Sequence, residues 1–314
     1  MPSILSNTDI STMSTVSAKG LNNTHSVCYM NSLLQCMLSC TPLTNIFLTY
    51  NMLPLFQHNP VVEVYHNLVQ WSQGNSDTPG DFGIAMIFAI RKFKGNPNLF
   101  PFGFQHDTAE VYATILECWN NINIIRNLFT THKKTYFSCR VCTTGDHCDV
   151  SEVCKRSRFS NTGEISVDSS SFHAMMKDQD ISSEAIVNSI NMDRGVQFKH
   201  CELCTSEIAN VYTHSDLPTI LVIQITSTAE TTASQSVRFP KTDVQSMKVY
   251  QLMGQVTHSN LHRRSDYGTS GHYTAIVSRS NGYRAEPTSI NDATVEGYSD
   301  PEFSLGNRLL FYVQ

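Results

Sequence analysis

Charge is scarce in this chain: only 16% of its 314 residues are Asp, Glu, Lys or Arg, against about 25% in an ordinary soluble protein. That scarcity excludes a charged coiled coil, and no heptad repeat is present. Basic residues number 22 against 27 acidic ones, a net charge of −5. Such a balance excludes a general nucleic-acid binder that works by neutralising phosphates. No apolar run reaches the ~18 residues of a membrane-crossing helix; the best, Leu217–Ile225, is short and holds Pro218. Phosphate-cradling glycine loops, paired catalytic carboxylates and internal repeats are absent as well. Met1–Ala18 carries neither the apolar core of a signal peptide nor the Arg-rich pattern of a transit peptide, so the expected location is cytoplasm or nucleus. What the chain does have is a 40% hydrophobic composition and enough length to bury a real core, which excludes a wholly disordered chain.

It also has ten cysteines. In a reducing compartment these are metal ligands, a nucleophile or small buried hydrophobes. Four form two Cys-x-x-Cys pairs, Cys139/Cys142 and Cys201/Cys204. A two-residue gap lets both thiolates of a pair reach one ion, and two pairs close a tetrahedral structural zinc site. The bland alternative is a chance coincidence or a redox dithiol. His147, Cys148 and Cys154 lie close by as spare ligands.

Cys28 stands in another setting. In Cys28–Leu38, the residues Met30, Leu33, Leu34, Met37 and Leu38 fall at helical spacing, and the pattern stops before Thr41-Pro42. Cys28 then belongs to the first helical turn, where the positive end of the helix dipole favours a thiolate. Cys36 and Cys40, in the same helix, are most simply core fillers. Far along the chain, Gly271-His272-Tyr273-Thr274-Ala275-Ile276-Val277 reads as a strand that opens on a histidine. Asn291 and Asp292 follow, a polar pair able to accept from an imidazole N–H. A nucleophilic cysteine needs a base, and the base needs a third group to fix its tautomer. Cys, His, Asn/Asp is the chain order of papain-like proteases.

These residues resemble a known family. Gly20-Leu21-Asn22-Asn23 through Cys28-Tyr29-Met30-Asn31-Ser32-Leu33-Leu34-Gln35 is similar to the cysteine box of the ubiquitin-specific proteases. Gln105-His106-Asp107-Thr108-Ala109-Glu110 resembles that family's Gln-Gln/His-Asp-x-x-Glu helix, and Tyr250–Val277 its histidine box. The two Cys-x-x-Cys pairs fall where the family carries a fingers zinc ribbon. Leu217–Leu221 and Leu309–Tyr312 are similar to its later strands. The match to Gln105–Ala109 and the compact size also point, less specifically, to the interferon-induced branch that removes a two-domain modifier.

The resemblance implies an α+β, papain-like fold with a helical thumb, a β-sheet palm and zinc-ribbon fingers. It implies hydrolysis after the C-terminal glycine of ubiquitin or a ubiquitin-like modifier, with those modifiers and their conjugates as partners and the chain a monomer. Neither nucleic acid nor membrane is an expected partner. Cys28 matches the nucleophile, His272 the base, and Asn291 or Asp292 the third group. Asn23 matches the side chain that donates to the oxyanion. Asp107 and Glu110 match carboxylates that meet the arginine-bearing tail of the modifier, with Gln105 and Tyr273 beside them in the substrate cleft. Cys139, Cys142, Cys201 and Cys204 match the ligands of a structural zinc. A plain amphipathic helix with Ala109, Val111, Tyr112, Ile115 and Leu116 inward explains 105–117 equally. His214 and His258 are read as structural histidines.

The chain departs from the family where His25-Ser26-Val27 replaces Gly-Asn-Thr, a glycine whose freedom allows a tight turn. A modifier-binding module with little turnover is therefore the rival reading. The expected layout is a disordered tail over 1–18 and one catalytic domain over 19–314. Within that domain the thumb covers about 19–125, the fingers about 126–240 and the palm about 241–314. Helices are expected over Cys28–Cys40, Val61–Gln73, Asp81–Phe93, Asp107–Trp119 and Ile181–Ile190. Thr143–Met176 is expected to be a loose insertion.

Overall fold

The computed structural model describes residues 19–74, 80–138, 165–168, 174–176, 180–191, 210–226, 232–233, 236–240, 247–259, 271–280, 285–297 and 307–314. The first third of the chain is helical: α1 (Cys28–Ser39), α2 (Thr41–Thr49), α3 (Leu53–Phe56), α4 (Pro60–Gln73), α5 (Phe82–Lys94), α6 (Thr108–Trp119) and α7 (Asn123–Phe129). Local chemistry sets their ends. Asn59 caps α4 through its side chain, which accepts from Val62 N–H. Asp107 caps α6 in the same manner through Ala109 N–H at 2.7 Å. Gly95, at φ 63°, closes α5 behind Arg91, Lys92 and Lys94, whose charges suit a helix C-terminus. The helices expected over residues 28, 61, 81 and 107 onward are all present, within a residue or two. Helix α2 is not among the expected ones: Thr41-Pro42 ends α1 but also begins a helix, because proline in a first turn lacks only an N–H that would be free anyway.

The strands are β1 (Thr131–Ser138), β2 (Ile165–Asp168), β3 (Ala174–Met176), β4 (Asp180–Ile181), β5 (Asn210–Asp216), β6 (Ile220–Ile225), β7 (Thr232–Ala233), β8 (Ser236–Pro240), β9 (Met247–Ser259), β10 (His272–Ser280), β11 (Ala285–Asn291), β12 (Thr294–Gly297) and β13 (Asn307–Val313). One more described helix, α8 (Ser183–Asn191), lies between β4 and β5. Eight strands make one sheet in the order β12-β11-β10-β9-β13-β6-β3, with β8 added on β9. Its pairs are antiparallel except β3 on β6. A second sheet, β2-β1-β5, has three strands.

Two expectations are corrected here. The segment 143–176 is not simply a loose insertion, since its β2 pairs with β1 and its β3 with β6. The large sheet also draws β3, β6 and β8 from before residue 241, because strands far apart in sequence complete its hydrogen bonding.

The sheet is apolar on both sides at its centre. In β6, Ile220 and Val222 face the helical core, whereas Leu221, Ile223 and Ile225 face a second cluster with Ile186 of α8. In β13, Leu309 and Phe311 face the first cluster, Leu310 and Tyr312 the second. Both strands therefore read as near-continuous apolar runs rather than as an apolar–polar alternation.

Helix α1 runs through the middle of the first cluster, and all 12 of its residues are buried. It packs on β9 and β10. Gly254 of β9 makes this approach possible, since a Cβ there would lie 2.9 Å from Cys36 Cβ. The buried polar side chains of α1 find partners. Gln35 Nε2 donates to Lys19 O at 2.6 Å, and Ser32 and Ser39 hydroxyls bond back to Tyr29 and Cys36 carbonyls.

Candidate active site

Cys28 is the first residue of α1 and is 1% exposed. The first N–H groups of a helix have no partners inside it, so the sulfur sits at the positive end of the dipole. His272 opens β10. In the β10–β11 register Ala275 faces Ile290, so the start of β10 and the end of β11 reach the same edge of the sheet. That edge overlies the N-terminus of α1, and the Cys28 side chain is the strongest influence on the proton affinity of the His272 ring. Its Nε2 lies 2.6 Å from Asn291 Oδ1 and 3.6 Å from Asp292 Oδ2. With Nε2 engaged by Asn291, Nδ1 is the nitrogen left for sulfur. The Cys28 side chain raises the His272 pKa to about 9, against burial; the Asn291 bond and the charges of Cys28 and Asp292 also raise it.

Asp292 is a junction rather than a bystander. It sits at φ 50°, a left-handed position in which Asp is tolerated better than most residues. Its Oδ2 accepts from Asn23 Nδ2 at 2.8 Å and its Oδ1 from Asn31 Nδ2 at 3.0 Å. Its backbone carbonyl accepts from Leu21 N–H at 2.8 Å. Burial pushes its carboxyl pKa up, while Asn31, His272 and Asn23 hold it down. Asn23 also accepts from Val27 N–H through Oδ1 at 2.8 Å, which shapes the turn into α1.

That turn carries His25 at φ 69° and Ser26 at φ 61°. Left-handed backbone costs about 1–2 kcal/mol for a residue with a Cβ, which is the physical content of the missing glycine. The turn is held from outside: His25 O accepts from Gly103 N–H at 3.2 Å, and the His25 ring lies 5.5 Å from that of Phe102.

Gln105 is half-buried between the nucleophile and the histidine strand. Its Nε2 donates toward Cys28 Sγ at 4.0 Å, and its Oε1 accepts from Gly271 N–H at 3.1 Å. Tyr273 is buried, its ring 4.4 Å from that of His258. A Cβ on Gly271 would overlap the His258 ring, so the residue before His272 must be small. Burial lowers the His258 pKa, as does the charge of Arg308. Asp107 and Glu110 are exposed on the first turn of α6, Asp107 as its cap.

The structure thus brings Cys28, His272, Asn291, Asp292, Asn23 and Gln105 together, with Tyr273 just behind. Asn31 is the participant that the sequence reading passed over. A polar residue one turn after Cys28, on a helix buried all round, was its signal. Cys36, Cys40 and Cys118 are buried thiols outside any disulfide, and burial pushes the Cys118 thiol up to about 11 and Cys40 higher still. Cys139, Cys142, Cys201 and Cys204 lie outside the described residues. Among the described residues no group of three or more His, Cys, Asp or Glu is placed to hold a metal ion.

A buried thiol at a helix N-terminus, beside a histidine that an asparagine orients, defines a cysteine hydrolase with an antiparallel palm. The sequence model of the ubiquitin carboxyl-terminal hydrolase family matches residues 19–312, so the chain belongs to that family and is a cysteine deubiquitinase. Its fold is similar to that of the SAGA Ubp8/Sgf11/Sus1/Sgf73 DUB module bound to ubiquitin aldehyde, with a TM-score of 0.64 and 18% identity over 96% of this chain and 70% of that one. A yeast SAGA DUB module carrying an Sgf73 mutant aligns with a TM-score of 0.60 and 19% identity, over 96% of this chain and 70% of that one. No curated protein matches the chain.

Proposed function

We propose that the chain hydrolyses the isopeptide or peptide bond that follows the C-terminal glycine of ubiquitin or a ubiquitin-like modifier. The observation that carries this reading is the convergence of Cys28 and His272 at one site, with His272 Nε2 held 2.6 Å from Asn291 Oδ1. His272 Nδ1 takes the thiol proton, and the thiolate adds to the glycine carbonyl. As the C–N bond breaks, His272 returns the proton to the leaving amine. Water, deprotonated by the same ring, then releases the modifier from the thioester. Asn291 is the orienting group in this reading, and Asp292 supplies charge at longer range while it holds Asn23 and Asn31. The second N–H of Asn23 and the Cys28 backbone N–H are the oxyanion donors. An oxyanion-hole donor in such a site contributes about 2.7–4 kcal/mol. Asp107 and Glu110, exposed at the thumb rim, suit a basic modifier tail. The likeness to a module bound to ubiquitin aldehyde supports ubiquitin as partner.

Ubiquitin with a C-terminal electrophile tests the proposal. The wild-type chain should form one covalent adduct and Cys28→Ala none; no adduct with ubiquitin or with the two-domain modifier refutes it. The left-handed backbone at His25 and Ser26 favours a second reading, a module that binds modifier with little turnover. Binding without cleavage of a fluorogenic conjugate would select it.

Zinc on Cys139, Cys142, Cys201 and Cys204 is part of the same proposal. Its support is backbone geometry. In the antiparallel β1–β5 pair Ser138 faces Asn210, so the described strand ends on either side of residues 139–209 lie side by side. Four thiolates on one ion would form a closed structural site. Fewer than about one zinc per chain in the purified protein would refute it.

A further inference from the structure

Gln105 makes two hydrogen bonds that run in opposite senses. Its amide nitrogen donates toward Cys28 Sγ at 4.0 Å, and its amide oxygen accepts from Gly271 N–H at 3.1 Å. An amide that could flip would be a poor fixed donor. Here the Gly271 N–H can be satisfied only by the oxygen, which leaves the N–H₂ end aimed at sulfur. The backbone on either side is held as well. Gly271 is packed against the His258 ring, and the loop before Gln105 is tied to the cysteine turn through Gly103 N–H and His25 O. Gln105 follows that loop and precedes Asp107, the cap of α6, so its own position is set at both ends.

From this geometry we infer that Gln105 is a catalytic residue, resting on the cysteine-hydrolase reading above. Its side-chain N–H donates to the Cys28 sulfur and stabilises it as the thiolate that attacks. A sulfur is a weak acceptor while protonated and a strong one once charged, so a 4.0 Å contact in the resting site shortens when the proton passes to His272. No proton leaves Gln105 at any step. Histidine takes the thiol proton, the sulfur pair forms the S–C bond, the carbonyl π pair moves to oxygen, and the amide only donates a hydrogen bond. The Gly271 bond gives the same side chain a positioning role, because it links the strand that carries the base to the nucleophile.

The two roles separate by substitution. Gln105→Ala removes donor and acceptor, Gln105→Glu keeps the acceptor for Gly271 alone, and Gln105→Lys keeps a donor alone. Two rates are read for each: alkylation of Cys28 by iodoacetamide, which needs no modifier, and turnover of a fluorogenic ubiquitin conjugate. Thermal melts confirm that each variant is folded. A lost hydrogen bond to a charged group corresponds to a fall of about 10- to 100-fold. The expected result is that fall in alkylation and in kcat for Ala and Glu, with KM within about twofold of wild type and partial recovery in Lys. Alkylation by Ala at the wild-type rate overturns the inference, and so does recovery by Glu but not by Lys, which would mark a purely structural acceptor. If the wild-type chain alkylates but does not turn over the conjugate, the substrate reading fails while the alkylation arm still decides the role of Gln105.

Discussion

The histidine carries most of the measurable chemistry at the scale of single residues. His272 has an ordinary value of 6.5 and is raised to about 9 in the fold, first by Cys28 and then by Asn291 and nearby charge. The folded state therefore binds this proton more tightly than the unfolded chain does. The resulting stabilisation is complete below about 6.5 and is lost as pH climbs through about 9. The gap in Tm between wild type and His272→Gln should accordingly narrow across that window, read by calorimetry from pH 6 to pH 10. A gap that widens with pH would show that the ring is held neutral instead. At this scale the sequence was informative about identity. Cys28, His272 and the Asn291-Asp292 pair were legible because each chemical role admits few residue types. Which of the pair meets the ring was not legible, since either can accept from an imidazole. Geometry resolves it: Asn291 lies at 2.6 Å and Asp292 at 3.6 Å, with Asp292 engaged by two asparagine amides.

Elements are positioned by close approach. Helix α1 needs the sheet beneath its middle, and Gly254 supplies the space, with Cys36 Cβ at 2.9 Å and Ser39 Oγ at 3.0 Å from where a Cβ would stand. Gly254→Val forces helix and strand apart. It should cost about 1–3 kcal/mol by overpacking, visible as a lower urea midpoint, and slow labelling of Cys28, which the displaced helix carries. An unchanged midpoint would mean that α1 is free to shift without penalty. The helices of the thumb were readable because amphipathic spacing and caps are local. Helix α2 was missed because a Thr-Pro stop also serves as a start. The central strands β6 and β13 were readable through resemblance and not through pattern, since burial on both faces erases the alternation that marks a strand.

The whole molecule is closed by contacts between its distant ends. Asn31, near the start of the chain, meets Asp292, 261 residues later, and Asn23 meets the same carboxylate across 269 residues. Leu21 N–H on Asp292 O completes the seam between helical thumb and palm. Residues in one such network are expected to couple, so a double-mutant cycle on Asn31→Ala and Asp292→Ala should return about 1–2 kcal/mol of interaction in urea unfolding. Strict additivity would show that thumb and palm are held by apolar packing alone. The seam also gives Asp292 a reason to be acidic that is separate from catalysis, as one carboxylate serves two amide donors at once.

By itself the sequence determined the chemical types: a thiol at a helix start, a histidine at a strand start, a polar pair beyond it, and thumb helices with their caps. Those features depend on neighbours within one or two turns, so a linear reading suffices. Tertiary structure alone decided the rest. It set which acceptor orients His272, made Asn31 part of the site, and placed Gln105 between sulfur and strand. Each depends on backbone segments that meet only after the sheet has paired β10 with β11 and α1 has settled on Gly254. Hydrogen-bond geometry across such distances leaves no periodic trace in the chain that folds to make it.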